Sequence, residues 1–127
     1  MRLEYLPNGS PDCPLIRLYD FDAVEAARLL QLVLSLSDGS VSRIILDAQQ
    51  QVASVDGCRL ALVADGSDHG VIRTKTPHQF ECSLTQTSWA HMAGLIEPFC
   101  GPSIPNGFQW LDETSNIALL LSPNGLW

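Results

Sequence analysis

Val52-Ala53-Ser54-Val55-Asp56-Gly57-Cys58-Arg59-Leu60-Ala61-Leu62-Val63 places two β-prone runs on either side of an Asp-Gly pair. Asp-Gly tolerates the positive φ that a type I′ turn demands, so the segment predicts a β-hairpin. Around it, the stretch 41–75 carries a second turn cluster, Asp65-Gly66-Ser67-Asp68-His69-Gly70, and predicts a meander of three or four antiparallel strands with a bulge or bend at Gln49-Gln50-Gln51. After Thr76-Pro77-His78, Phe80, Cys82 and Leu84 alternate with Gln79, Glu81 and Ser83, which adds one more strand.

Towards the start, Arg2 to Leu6 predicts a short strand that the turn formers of Pro7 to Pro14 end. Leu15 to Phe21 predicts another, with Ile16 and Leu18 on one face and Arg17 and Tyr19 on the other. Asp22 is a good N-cap, Glu25 completes a capping box, and the helix they start is expected from Ala23 to Leu36, where Ser37-Asp38-Gly39-Ser40 stops it. Its polar positions Glu25, Arg28, Gln31 and Ser35 form only a narrow stripe, so its apolar surface exceeds what one sheet face would cover.

Towards the end, Trp89, Met92, Ala93, Ile96 and Phe99 recur at helical spacing behind Thr85 or Thr87 and predict a second helix from Ser88 to Phe99, kinked or ended by Pro98. A rigid loop, 100–107, leads to Phe108-Gln109-Trp110-Leu111, and a final hairpin is expected between Ile117–Leu121 and Leu126-Trp127. Strands that cluster in sequence favour an antiparallel arrangement. The expected fold is therefore one α+β domain over residues 1–127, a single antiparallel meander sheet of about six to eight strands with both helices on one face.

With 127 residues, 46% of them apolar, the chain is long enough to bury one core. A net charge of −7 opposes nucleic acid and anionic lipid, whose binding rests on Lys and Arg, so neither is an expected partner. The opening residues lack an apolar signal core and no apolar run is long enough to span a bilayer, so the expected location is cytoplasmic. Cys13, Cys58, Cys82 and Cys100 are scattered, with no paired CxxC spacing, and read as free thiols.

Aligning the predicted strands by their alternation puts Arg17, Arg43, Arg59, Arg73 and Lys75 on the sheet face opposite the helices, with Tyr19, Asp47 and Glu81 among them. Guanidinium groups between Ile45, Ala61, Val63 and Val71 would suit an acidic ligand or a protein partner; a plain solvated face is the competing reading. Arg17, Tyr19, Arg43, Arg59 and Arg73 are the candidate binding residues.

Other constellations are weaker. The Asp65–Gly70 loop resembles the first half of a calcium loop but has Thr76 where a bidentate glutamate belongs. The three histidines and four cysteines lack zinc spacing, so no metal and no cofactor is expected. Cys82 with His78, or Cys100 with His91, would need a geometry that spacing cannot supply. Phe108, Trp110, Asp112 and Glu113 concentrate aromatics and acids beside a Pro-rich loop, as a core strand and solvated turn would, or as a pocket for a polar or cationic ligand would. The expectation is a non-enzymatic interaction or ligand-binding domain acting as a homodimer. The alternative is a small enzyme with a Cys/His or carboxylate site between the second helix and the final hairpin.

Overall fold

The capping box forms as the side chains dictate. Asp22 Oδ1 accepts from Glu25 N at 2.9 Å, Glu25 Oε1 accepts from Asp22 N at 3.2 Å, and the helix they start runs Ala23–Ser37 (α1). In the computed structural model, which describes Met1–Trp127, the other elements are Arg2–Leu6 (β1), Leu15–Tyr19 (β2), Arg43–Ile45 (β3), Ala53–Ser54 (β4), Arg59–Ala64 (β5), Gly70–Arg73 (β6), Gln79–Leu84 (β7), Gln86–Ile96 (α2), Gln109–Asp112 (β8) and Ala118–Ser122 (β9). Thr85 caps α2, accepting from Ser88 N, and the α-helix gives way at Glu97–Cys100 to a 3₁₀ turn that holds Pro98.

The class is α+β, but the single antiparallel meander is replaced by two mixed sheets. One has the order β4-β1-β2-β9-β8, the other β3-β5-β7-β6. β2 and β9 run parallel with Ile16 opposite Leu119 and Leu18 opposite Leu121; β5 and β7 run parallel with Leu60 opposite Phe80 and Leu62 opposite Cys82. The physical reason lies in the two continuous apolar runs. Leu60-Ala61-Leu62 and Leu119-Leu120-Leu121 are buried throughout, which suits strands with neighbours on both edges and excludes them from the one-sided alternation of a meander.

The Asp56-Gly57 turn forms, with φ of 53° and 72° and Cys58 N donating to Val55 O at 3.1 Å, yet it closes no hairpin. β4 is two exposed residues long and pairs parallel with β1, so the turn hands the chain from the first sheet to the second. The Asp65–Gly70 segment likewise crosses from β5 past β7 to β6. The final hairpin is absent: β9 pairs with β8 and β2, while Ser122 Oγ donates to Leu126 O at 2.6 Å and Leu126 N to Asn124 Oδ1 at 3.0 Å. Those local side-chain bonds take the place of a ladder.

One contiguous core draws side chains from both sheets and both helices. α1 buries Ala26, Leu29, Val33 and Leu36 and packs on α2, which buries Trp89, Met92, Ala93 and Ile96; Trp89 Nε1 donates to Val63 O at 3.0 Å. The sheets meet where Tyr5 lies 4.6 Å from Phe80, centre to centre, and where Ser115 Oγ donates to Val71 O at 2.6 Å. No helix is long and apolar enough to cross a membrane.

Candidate functional site

The five candidate binding residues are divided among three places. Arg17 and Tyr19 lie on the face of the first sheet turned away from the core. There Arg17 Nε and Nη2 donate to Glu4 Oε1 at 2.9 and 2.6 Å and Nη1 donates to Gly125 O at 2.9 Å. Residues 123–127 fold back over this face, and Trp127 Nε1 reaches Asp12 Oδ2 at 3.1 Å. Leu15 and Leu120, which alternation places on the same side, are buried.

Arg43 and Arg59 share the outward face of the second sheet. Arg43 Nη1 meets Glu81 Oε1 at 3.1 Å and Arg59 Nε meets Asp47 Oδ2 at 3.3 Å, while Asp47 Oδ1 accepts from Leu60 N at 2.9 Å. Only a shallow dimple of about 20 Å³ lies between them. Arg73 stands apart from both, because its register partner is Phe80 and it therefore belongs to the core side: its guanidinium sits 5.1 Å from the Tyr5 ring centre and donates to the Tyr5 hydroxyl. Val71, expected among the outward arginines, pairs with Cys82 and is buried.

Two concavities lie elsewhere. The larger, about 440 Å³, is an open groove between α1 and the turn after β3, lined by Val24, Ala27, Arg28, Gln31, Leu32, Gln49 and Gln51. The second, about 300 Å³, separates α2 from β8. Ser88, His91 and Leu95 form one wall; Trp110, Leu111, Asp112, Glu113 and Thr114 form the other, over Leu84. The alternative enzyme site expected from the sequence was between the second helix and a final hairpin; that hairpin is absent, and this cleft lies between α2 and β8. Asp112 holds its own turn, accepting from Thr114 N at 3.2 Å and Thr114 Oγ1 at 2.7 Å.

Spacing in the sequence did not single out Ser88 and Leu95, although with His91 they occupy positions i, i+3 and i+7 and so fall on one side of α2. No cysteine lines the cleft. Burial pushes the Cys58 thiol up to about 12, with the Asp47 and Glu4 carboxylates adding to it; burial also raises Cys82 and Cys100. Burial thus disfavours the thiolate at these three positions, none of which lines the cleft.

The Asp65–Gly70 loop turns its carboxylates apart. Asp65 pairs with His69 at 3.5 Å, while Asp68 accepts from Thr85 N at 2.8 Å and Ser88 Oγ at 2.9 Å. No group of three or more His, Cys, Asp or Glu side chains is gathered as a metal site would require. Set against family models, curated proteins and solved structures, the chain matches none.

Proposed function

We propose that this chain is a non-enzymatic interaction domain that acts as a homodimer through the exposed side of α1. The observation that carries the reading is the symmetry of one stripe. Val24, Ala27, Gln31 and Leu34 lie along one side of the helix, with Val24 60% and Leu34 38% exposed. The stripe covers about 15 Å of helix. Two copies crossing antiparallel about a two-fold axis set Val24 against Leu34 of the second copy and Ala27 against its Gln31, because the spacing is the same from either end. A self-complementary patch of this kind is what an isologous dimer uses. Arg28 is the one charged side chain in the adjoining groove, so two chains of net charge −7 meet there without opposing carboxylates.

Sedimentation velocity tests it. A dimer is expected at high micromolar concentration, and Val24→Glu with Leu34→Glu should give a folded monomer with an unchanged circular dichroism spectrum. Wild-type protein that stays monomeric overturns the reading. Leu29, by contrast, is core, and its replacement tests only the fold.

One observation favours a second reading, an enzyme: His91 and Asp112 line the same cleft. On that reading a carboxylate or histidine, not a thiol, carries the chemistry. A hydrolase screen whose signal disappears in His91→Ala would support it.

A further inference from the structure

The cleft between α2 and β8 is lined on one side by an edge strand. β8 is the last strand of its sheet and pairs only with β9. Trp110 pairs with Leu120 and Asp112 with Leu119, so Leu111 is the extra residue of a bulge in β8. The cleft touches Trp110, Leu111 and Asp112, and β8 has no strand on its other side. The opposite wall is a single side of α2, Ser88, His91 and Leu95. A groove between a helix and a free strand edge is the arrangement in which an extended peptide can add to a sheet by main-chain hydrogen bonds. An acceptor is within reach of such a ligand: the Trp110 carbonyl takes a bond at 3.0 Å from the side-chain amide of Gln109, a bond that a ligand N–H can replace.

The wall has a definite charge. Asp112 and Glu113 line the cleft, Ser88 binds the Asp68 carboxylate just beyond it, and no Lys or Arg lines it. Glu113 is exposed. Beside the cleft, Phe108 is 43% exposed and meets Trp110 edge to face at 6.0 Å, an aromatic pair along which side chains on the other face of an extended ligand would run. The register shift between Trp110 and Asp112 limits the regular edge to a few residues, so charge and aromatic contact, more than ladder length, set the selectivity.

We infer that the cleft between α2 and β8 binds an extended peptide bearing basic side chains, which joins the five-stranded sheet as an added edge strand on β8. The ammonium or guanidinium group meets Asp112 and Glu113 against the Trp110 ring, where charge and the aromatic face both favour a cation. This surface is separate from the α1 stripe, so the test stands whether or not the chain dimerises.

The probe is a capped heptapeptide of alternating valine and arginine, titrated into ¹⁵N-labelled protein. Micromolar binding is expected, with amide shifts at Gln109–Asp112 and Ser88–Leu95. The same peptide with glutamate for arginine, or with alternate backbone amides N-methylated, should bind at least about tenfold more weakly, the loss expected from two ladder bonds. Glu113→Lys, an exposed substitution that leaves the fold intact, should weaken the arginine peptide about fivefold. Equal affinity for the glutamate peptide overturns the charge argument, and equal affinity for the N-methylated one overturns strand addition. If N-acetylarginine amide alone binds as tightly, the cleft is a small-cation site and the inference fails; it also fails if the arginine peptide does not bind.

Discussion

The guanidinium of Arg17 lies 4.0 Å from the centre of the Tyr19 ring, held there by the Glu4 carboxylate on one side and the Gly125 carbonyl on the other. Its three nitrogens all donate within the chain, and both charged side chains are largely covered, 21% exposed for Arg17 and 16% for Glu4. The pair anchors residues 123–127 over the first sheet. Arg17→Ala leaves Glu4 half-buried without its partner and should cost about 2–3 kcal/mol in urea denaturation. Arg17→Lys keeps the charge, loses the fork, and should fall between the two. A loss no larger than that of Arg43→Ala, whose pair is more open to water, would mean that the clamp is not structural.

Gly70 and Gly57 separate two causes of glycine dependence. Both have positive φ, 74° and 72°. A Cβ on Gly57 meets nothing within 4 Å, so Gly57→Ala should cost about 1 kcal/mol, the conformational penalty alone. A Cβ on Gly70 would stand 2.8 Å from Ser115 N and 2.9 Å from both Asp112 Oδ2 and Thr114 Cβ. Gly70→Ala should therefore cost about 3 kcal/mol or more and disturb the Asp112 turn, and thermal unfolding of the two variants side by side would show the difference.

Local signals in this sequence were legible and long-range pairing was not. The Asp22–Glu25 capping box, the inward set Phe80, Cys82 and Leu84, and the stop at Pro98 depend on neighbours a few residues away, and each is found where expected. Asp56-Gly57 shows the limit: the φ values follow from the residues, but which strand lies beside β5 depends on Phe80 and Cys82, some twenty positions on. Parallel pairing leaves no mark at the turn, so β2 with β9 and β5 with β7 were missed, and with them the split into two sheets. The arginine face failed for the same reason, because alternation assigns a side chain to a face of its strand but not the strand to a sheet. The cleft beside Trp110 and Asp112 was signalled only by composition. Its other wall, Ser88 and Leu95, needed the strand edge to be known first.

Asp68 joins the Asp65–Gly70 segment to the start of α2. The Thr85 N–H first, then the Ser88 hydroxyl, hold its carboxyl below the ordinary 3.8. A lowered carboxylate adds stability that is present above the unfolded value and is lost as pH falls through the folded one. Asp68→Asn should therefore flatten the acid limb of the stability curve below about pH 4. Unfolding midpoints across the acid range that match those of the wild type would contradict this.

Two buried thiols contribute to the alkaline limb. Cys58 is raised by burial, then by Asp47 and Glu4, from 9.0 to about 12, and Cys82 is raised in the same sense by burial with Asp112 and Asp68 adding. Because the folded values are raised, the folded chain keeps protons that the unfolded chain has released. The stability these thiols give is complete below pH 9.0 and falls as pH rises towards the folded values. Each thiol contributes a slope of at most about 1.4 kcal/mol per pH unit. Cys58→Ala should lower stability at neutral pH through the cavity it leaves, yet make the loss between about pH 9 and 11 shallower than in the wild type. The two effects have opposite consequences for the curve, so urea midpoints measured across that range separate them: a parallel displacement of the whole curve would show that Cys58 is packed but not titrated, and a converging pair of curves that burial governs its proton.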